Sequence, residues 1–367
     1  MREETKQALV SFLENREKID VAGNALLICQ DGKEVFRHFS EGVNENTLFR
    51  IYSMTKVVTV TAALQLYELG KFAMDDLLSD YLPEYKDMKV WDAEKSCAYP
   101  AKNQIRIRDL FCMSAGLTYP GEGSVTASEI AAIASEIEKK KGYTTQEFAR
   151  AIAKAPLLFE PGTHWCYSLC HDVLGALIEV VSGQTLGEYM TEHIFKPLHM
   201  EHTFFRLPDG MQDRLAEKKA DGFEDDKYQA DARYESGGGG LLSTADDYMK
   251  FAKALTRGGT NEEGVRILGR KTIDLLRLDQ PNPEQKKDYN WEYLKGYGYG
   301  LGVRTYVDPA VGGIQGTVGE FGWCGVLGTW VLMDPEEKLS VVYMHQRYPN
   351  LEKYVQTHLR AMIYGDL

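Results

Sequence analysis

Two pairs of apolar segments, one near each end of the chain, set what this sequence can fold into. Residues 25–37 carry two such segments around Asp31-Gly32, a dipeptide that favours the left-handed backbone of a two-residue hairpin turn. Residues 328–333 and 339–344 are apolar again and flank Asp334-Pro335-Glu336-Glu337, which reads as two strands and a turn. A lone hairpin is marginal in water, so the two pairs predict one antiparallel sheet drawn from both chain ends. A helix over 3–17 precedes the first pair. Helical periodicity dominates the middle, over 57–69, 107–113, 127–140, 145–154, 170–182 and 186–194, punctuated at Pro83, Pro120 and Pro161-Gly162. The expected class is α+β, with an antiparallel sheet and flanking helices from residues 1–65 and 225–367. A mostly helical domain, 66–224, is inserted between them.

The 367 residues, 44% apolar and 26% charged, suit a globular protein with a sizeable core. A net charge of −12 argues against nucleic-acid binding, and the one basic run, Lys139-Lys140-Lys141, reads as a solvated helix end. The first six residues lack the apolar core of a secretion signal, and no run of 18 apolar residues follows, so a soluble cytoplasmic protein without a membrane partner is expected. Cys29, Cys97, Cys112, Cys166, Cys170 and Cys324 show no CxxC pairing and read as reduced thiols. No metal or other cofactor is implied.

Chemistry concentrates at Ser53-Met54-Thr55-Lys56, ahead of the apolar run Val57–Leu69. Three residues along a helix is nearly one turn, so the hydroxyl and the amine project from one face. A lysine kept neutral by desolvation or nearby positive charge can take the serine proton. With 14 Ser and 25 Lys, about one Ser-x-x-Lys match arises by chance, so the motif needs company. Tyr167, after the turn Pro161-Gly162-Thr163 and before the apolar helix, is a candidate proton relay whose phenol pKa a lysine cation would lower. The segment Phe321–Thr329 has glycines just before a strand. Its backbone N–H groups, with that of Ser53, can point at one oxyanion. Gly237–Gly240 lacks the pattern of a phosphate-binding loop and reads as close backbone packing near a site, followed by a helix capped by Ser243 or Thr244.

This order, Ser-x-x-Lys, then Tyr-Ser, then a glycine-rich edge strand, resembles the serine beta-lactamase and penicillin-binding-protein superfamily, in particular its class C-related branch of esterases, D-aminopeptidases and DD-peptidases. Phe49–Lys56 is similar to the branch's nucleophile segment, and Ile105–Leu110 with Ser114–Leu117 resembles a further stretch of it. Phe159–Thr163 into Tyr167-Ser168, Asp172–Gly175 and Gly237–Ala245 match other landmarks, so the resemblance covers nearly the whole chain. It implies the beta-lactamase/transpeptidase fold, with the active site in the cleft between the sheet and helical domains. It also implies Ser53 as acylated nucleophile, Lys56 and Tyr167 sharing proton transfer, and the Ser53 and Val326 amides as oxyanion hole.

Two departures from the pattern bear on substrate. Tyr167-Ser168-Leu169 stands where beta-lactamases and DD-peptidases have Tyr-x-Asn, and Trp323-Cys324-Gly325 where they have Lys-Thr-Gly. The lost lysine would pair with a substrate carboxylate, a contact of about 1.5–3 kcal/mol, or roughly ten- to a hundred-fold in binding. Trp323, Cys324, Gly325 and Leu169 are therefore expected to contact small neutral esters, with Tyr119 as a further contact. The leading reading is a carboxylesterase acting on a small ester or amide substrate through an acyl-enzyme. The alternatives are a beta-lactamase or hydrolase of D-amino-acid peptides, and a binding or scaffold protein that keeps the fold without catalysis. The oligomeric state stays open. His164, His171 and His345 are given no catalytic role.

Overall fold

A computed structural model describes residues 1–15, 17–223, 228 and 231–367. Seven antiparallel strands form the main sheet. In chain order the strands are β1 (Asn24–Gln30), β2 (Lys33–Phe39), β3 (Phe49–Arg50), β4 (Lys89–Asp92), β5 (Cys97–Pro100), β6 (Leu242–Ser243), β7 (Tyr297–Tyr299), β8 (Arg304–Tyr306), β9 (Phe321–Cys324), β10 (Trp330–Asp334) and β11 (Leu339–His345). The sheet order is β2-β1-β11-β10-β9-β8-β7, so the two ends of the chain pair directly, with Ala25 opposite Met344. β3 pairs with β6 and β4 with β5 in two small ribbons. The helices are α1 (Glu3–Leu13), α2 (Thr55–Glu68), α3 (Ile107–Phe111), α4 (Val125–Glu138), α5 (Thr145–Ile152), α6 (Cys170–Ser182), α7 (Leu186–Met190), α8 (Ala245–Thr256), α9 (Arg270–Leu276), α10 (Pro283–Asp288), α11 (Pro309–Gly312) and α12 (Glu352–Tyr364).

Strand alternation divides the sheet's side chains between two apolar clusters. Leu26, Ile28, Leu332, Val341 and Tyr343 face Leu9 and Leu13 of α1 and Val355, Leu359 and Ile363 of α12. Ala25, Leu27, Val331, Met333 and Val342 face the other way, into the larger cluster that holds α2, α8 and the helices of the chain's middle. In α2 every residue from Thr55 to Leu64 is buried, so this helix is buried all round, as its sequence predicts.

Several boundaries differ from expectation for local reasons. α1 stops at Leu13 rather than 17 because Leu13 is the last residue on its buried stripe, and Ile19 and Val21 reach the same cluster from the following loop. β10 begins at Trp330 rather than 328 because Gly328, at φ 96°, belongs to the turn before it. The helix expected over 186–194 is α7 followed by a wider π turn, Thr191–Phe195. Thr244, not Ser243, caps α8, accepting from the Asp247 N–H. The domain junction expected at 224/225 lies outside the described residues.

Candidate active site

Ser53 lies in a 3₁₀ turn, Tyr52–Met54, that joins β3 to α2. Tyr52 has φ 42°, a left-handed backbone uncommon for a bulky side chain. The turn leaves Ser53 half-buried between buried Tyr52 and Met54. Tyr248 of α8 donates its hydroxyl to the Met54 carbonyl at 2.9 Å and so holds the turn from below.

One helical turn on, the amine of the fully buried Lys56 donates to Ser53 Oγ at 3.2 Å, the Tyr119 hydroxyl at 2.9 Å and the Gly238 carbonyl at 2.5 Å. These acceptors suit the donors of an ammonium. The amine also sits 4.7 Å from the centre of the Tyr167 ring, on its electron-rich face. The Gly238 carbonyl is placed by Asp172, whose carboxylate accepts from Tyr234 at 2.7 Å, Ser236 at 2.6 Å and the Gly238 N–H at 3.3 Å. A Cβ on Gly238 would lie 2.4 Å from that carboxylate, and one on Gly237 would lie 2.4 Å from the His171 carbonyl. The glycine run is thus close backbone packing beside the lysine, as its sequence predicts.

Tyr167 precedes α6 and receives a hydrogen bond on its oxygen from the Trp323 indole N–H at 3.0 Å. The Ser53 hydroxyl donates to the same oxygen. Burial pushes the Tyr167 phenol above its ordinary value, and the hydrogen bonds from Ser53 and Trp323 oppose that rise. This corrects the expectation of a lowered pKa set by the Lys56 charge, because desolvation is the larger effect. Burial likewise holds Tyr119 well above the ordinary range, so it stays a neutral phenol.

The segments that carry the two oxyanion-hole candidates touch through a tight contact between distant parts of the chain. Gly325 donates its N–H to the Thr329 carbonyl at 2.8 Å, and Thr329 donates its hydroxyl to the Ile51 carbonyl at 3.2 Å. A Cβ on Gly325 would lie 2.3 Å from Thr329 Oγ1 and 2.6 Å from the Ile51 oxygen. The β9–β10 turn is therefore pressed against the residue two before Ser53. The Val326 N–H in that turn has no hydrogen-bond partner among the described residues.

The remaining sequence candidates lie elsewhere. Leu169 is buried in the core at the start of α6. Cys324 follows Trp323 in the strand and so faces the opposite side of the sheet, beside Trp330 in the register. Its thiol interacts with Glu352 of α12, and burial pushes it well above the ordinary value, so it is held protonated. His171 and His345 are buried and kept neutral, and His164 pairs with Asp288 at 2.9 Å. Sequence reasoning missed an aromatic wall around Tyr167, formed by Trp165, Trp291, Tyr299 and Trp323, with ring centres 5.4–6.3 Å apart. The signal was present as Trp-x-Tyr at 165/167 and again at 291/293.

Comparison with known proteins agrees with this architecture. The beta-lactamase family model matches residues 11–364. An uncharacterized protein of Mycobacterium tuberculosis is 32% identical over 336 residues, covering 86% of this chain and 82% of its own. Esterase EstB of Burkholderia gladioli is 28% identical over 357 residues, covering 90% and 85%. Simvastatin synthase (LovD) of Aspergillus terreus superposes with a TM-score of 0.83 at 20% identity, covering 100% and 99%, a likeness of fold. The chain therefore belongs to the beta-lactamase family and is a serine hydrolase.

Proposed function

We propose that the chain is a carboxylesterase that acts on small neutral esters through an acyl-enzyme on Ser53. The observation that carries this reading is the 3.0 Å contact from Trp323 Nε1 to the Tyr167 oxygen. At the strand position where the family's beta-lactamases carry a lysine, this chain has an uncharged donor turned to the proton-transfer group. No cation is then offered there to a substrate carboxylate. The esterase activity named for the Burkholderia relative supports the same choice.

In this scheme Ser53 Oγ attacks the ester carbonyl carbon and its proton passes to the Tyr167 oxygen. The oxyanion is received by the Ser53 and Val326 N–H groups. Tyr167 and Lys56 act as one coupled unit that must be a single proton short of full protonation. The gained proton goes to the departing alkoxide, and a water repeats the sequence on the acyl-enzyme to release the acid. Steady-state hydrolysis of p-nitrophenyl butyrate beside nitrocefin tests the proposal. Ester turnover that vanishes in Ser53→Ala, with poor nitrocefin turnover, is expected. More efficient turnover of nitrocefin than of the ester would favour the beta-lactamase reading. Ligand binding without any acyl adduct on Ser53 would favour a scaffold.

A further inference from the structure

A cavity of about 450 Å³ lies where the C-terminal end of α8 meets the turns β1–β2 and β10–β11, with no residue of the Ser53 site in its lining. Tyr248, which holds the nucleophile turn, and Arg257, which lines this cavity, are nine positions apart, about 14 Å along a helix axis. The chain carries a net charge of −12, yet Lys253, Arg257, Arg270, Arg277 and Lys338 all converge here, against Asp31 and Asp274. With the flanking Lys271 and Glu262, six cations face three carboxylates.

The pairing within this group is incomplete. Glu262 takes Lys253 at 2.9 Å and Asp31 takes Lys338 at 3.2 Å. Asp274 alone is shared by Arg270, Lys271 and Arg277, at 3.6, 3.4 and 3.5 Å. Arg257 has no ion pair among the described residues. The lining also includes buried neutral groups. Thr256 and Ser340 bring their hydroxyls within 2.8 Å of each other, and the buried Cys29 thiol is held uncharged. Converging cations on a concave surface raise the local concentration of anions. Guanidinium forks match the paired oxygens of phosphate, and the volume exceeds what one inorganic phosphate fills.

We propose that this cavity binds a phosphorylated small molecule through its phosphate group, with Arg257 and Arg270 as the principal contacts. The test is calorimetric titration of the full chain with sodium pyrophosphate at fixed ionic strength, beside the variant Arg257→Ala/Arg270→Ala and the control Lys287→Ala, an exposed cation outside the cavity lining. Saturable one-to-one binding is expected in the wild type and the control, weakened roughly tenfold or more in the double variant. Unchanged p-nitrophenyl butyrate hydrolysis by that variant shows that it is folded. Equal binding by the double variant, or no saturable heat up to about 10 mM pyrophosphate, overturns the proposal. So does co-sedimentation with phosphatidylglycerol vesicles without pyrophosphate binding, which would assign the basic rim to a membrane surface.

Discussion

Replacing Trp323 by Phe isolates the contact on which the esterase reading rests. The substitution keeps an aromatic ring beside Tyr167, where the two rings now lie 5.5 Å apart, and deletes the indole N–H that reaches the Tyr167 oxygen at 3.0 Å. A hydrogen bond to a group that becomes charged contributes about 1.5–3 kcal/mol, which at 1.36 kcal/mol per decade is roughly a 10- to 150-fold loss in kcat. The same arithmetic moves the pH limb. The indole donor favours the phenolate and opposes the upward push of burial. Without it the Tyr167 pKa rises further, the fraction of the coupled pair in its base form at neutral pH falls, and the ascending limb of kcat shifts up by roughly one to two pH units. The assay is the pH profile of kcat and kcat/KM for p-nitrophenyl butyrate. A melting curve is needed beside it, because a smaller ring in a packed site costs about 1–3 kcal/mol of stability. A variant whose kcat stays within about twofold and whose limb does not move would refute the proton-transfer argument. A raised KM with unchanged kcat would instead make Trp323 a substrate-binding residue.

Three further outcomes are expected. Tyr119→Phe removes the acceptor 2.9 Å from the Lys56 amine, and should lower kcat roughly 5- to 100-fold with little change in KM, the cost of a lost hydrogen-bond partner; a kcat equal to wild type would show that this contact does not poise the lysine. Gly325→Ala forces the β9–β10 turn away from Ile51, and displacing the Val326 N–H should cost roughly 100- to 1000-fold in kcat in protein that still melts cooperatively; full activity in a folded variant would remove Val326 from the oxyanion hole. His345 is buried with its pKa pushed down to about 3 by burial, so between that value and the ordinary one of an unfolded chain, about 6.5, the unfolded state binds more protons. Stability from this group is therefore fully present above about pH 6.5 and is lost as pH falls towards 3, on the order of 5 kcal/mol at most. The drop in urea midpoint between about pH 7 and pH 4 should be smaller in His345→Gln, and an identical drop would place the acid-sensitive group elsewhere.

What the sequence made legible, and what it hid, follows from which interactions leave a residue-type signature. Asp31-Gly32 marked its hairpin because both residues adopt positive φ, 49° and 79°. That Ser53, Lys56 and Tyr167 would lie together was legible because a hydroxyl, an amine and a phenol in that order have few other joint uses. The Gly238 carbonyl, the shortest of the Lys56 contacts, had no such mark, since every residue carries a main-chain oxygen and only the glycine run hinted that backbone comes close. Helix ends shifted where tertiary packing, rather than a capping residue, decided the last turn, as at Leu13. Cys324 is the most instructive position. It was grouped with Trp323 as a substrate contact because the two are adjacent in the motif, yet adjacent residues of a strand face opposite sides of the sheet. Once Trp323 is assigned to the Tyr167 side, the alternation sends Cys324 to the opposite face, where Glu352 of α12 lies. Local contact likewise explains how the β9–β10 turn comes to lie beside the turn that carries Ser53. β3, which leads into the Ser53 turn, pairs with β6 outside the main sheet, and the late turn reaches it through the Thr329 hydroxyl on the Ile51 carbonyl. Gly325 then lets the two backbones touch where any side chain would hold them apart.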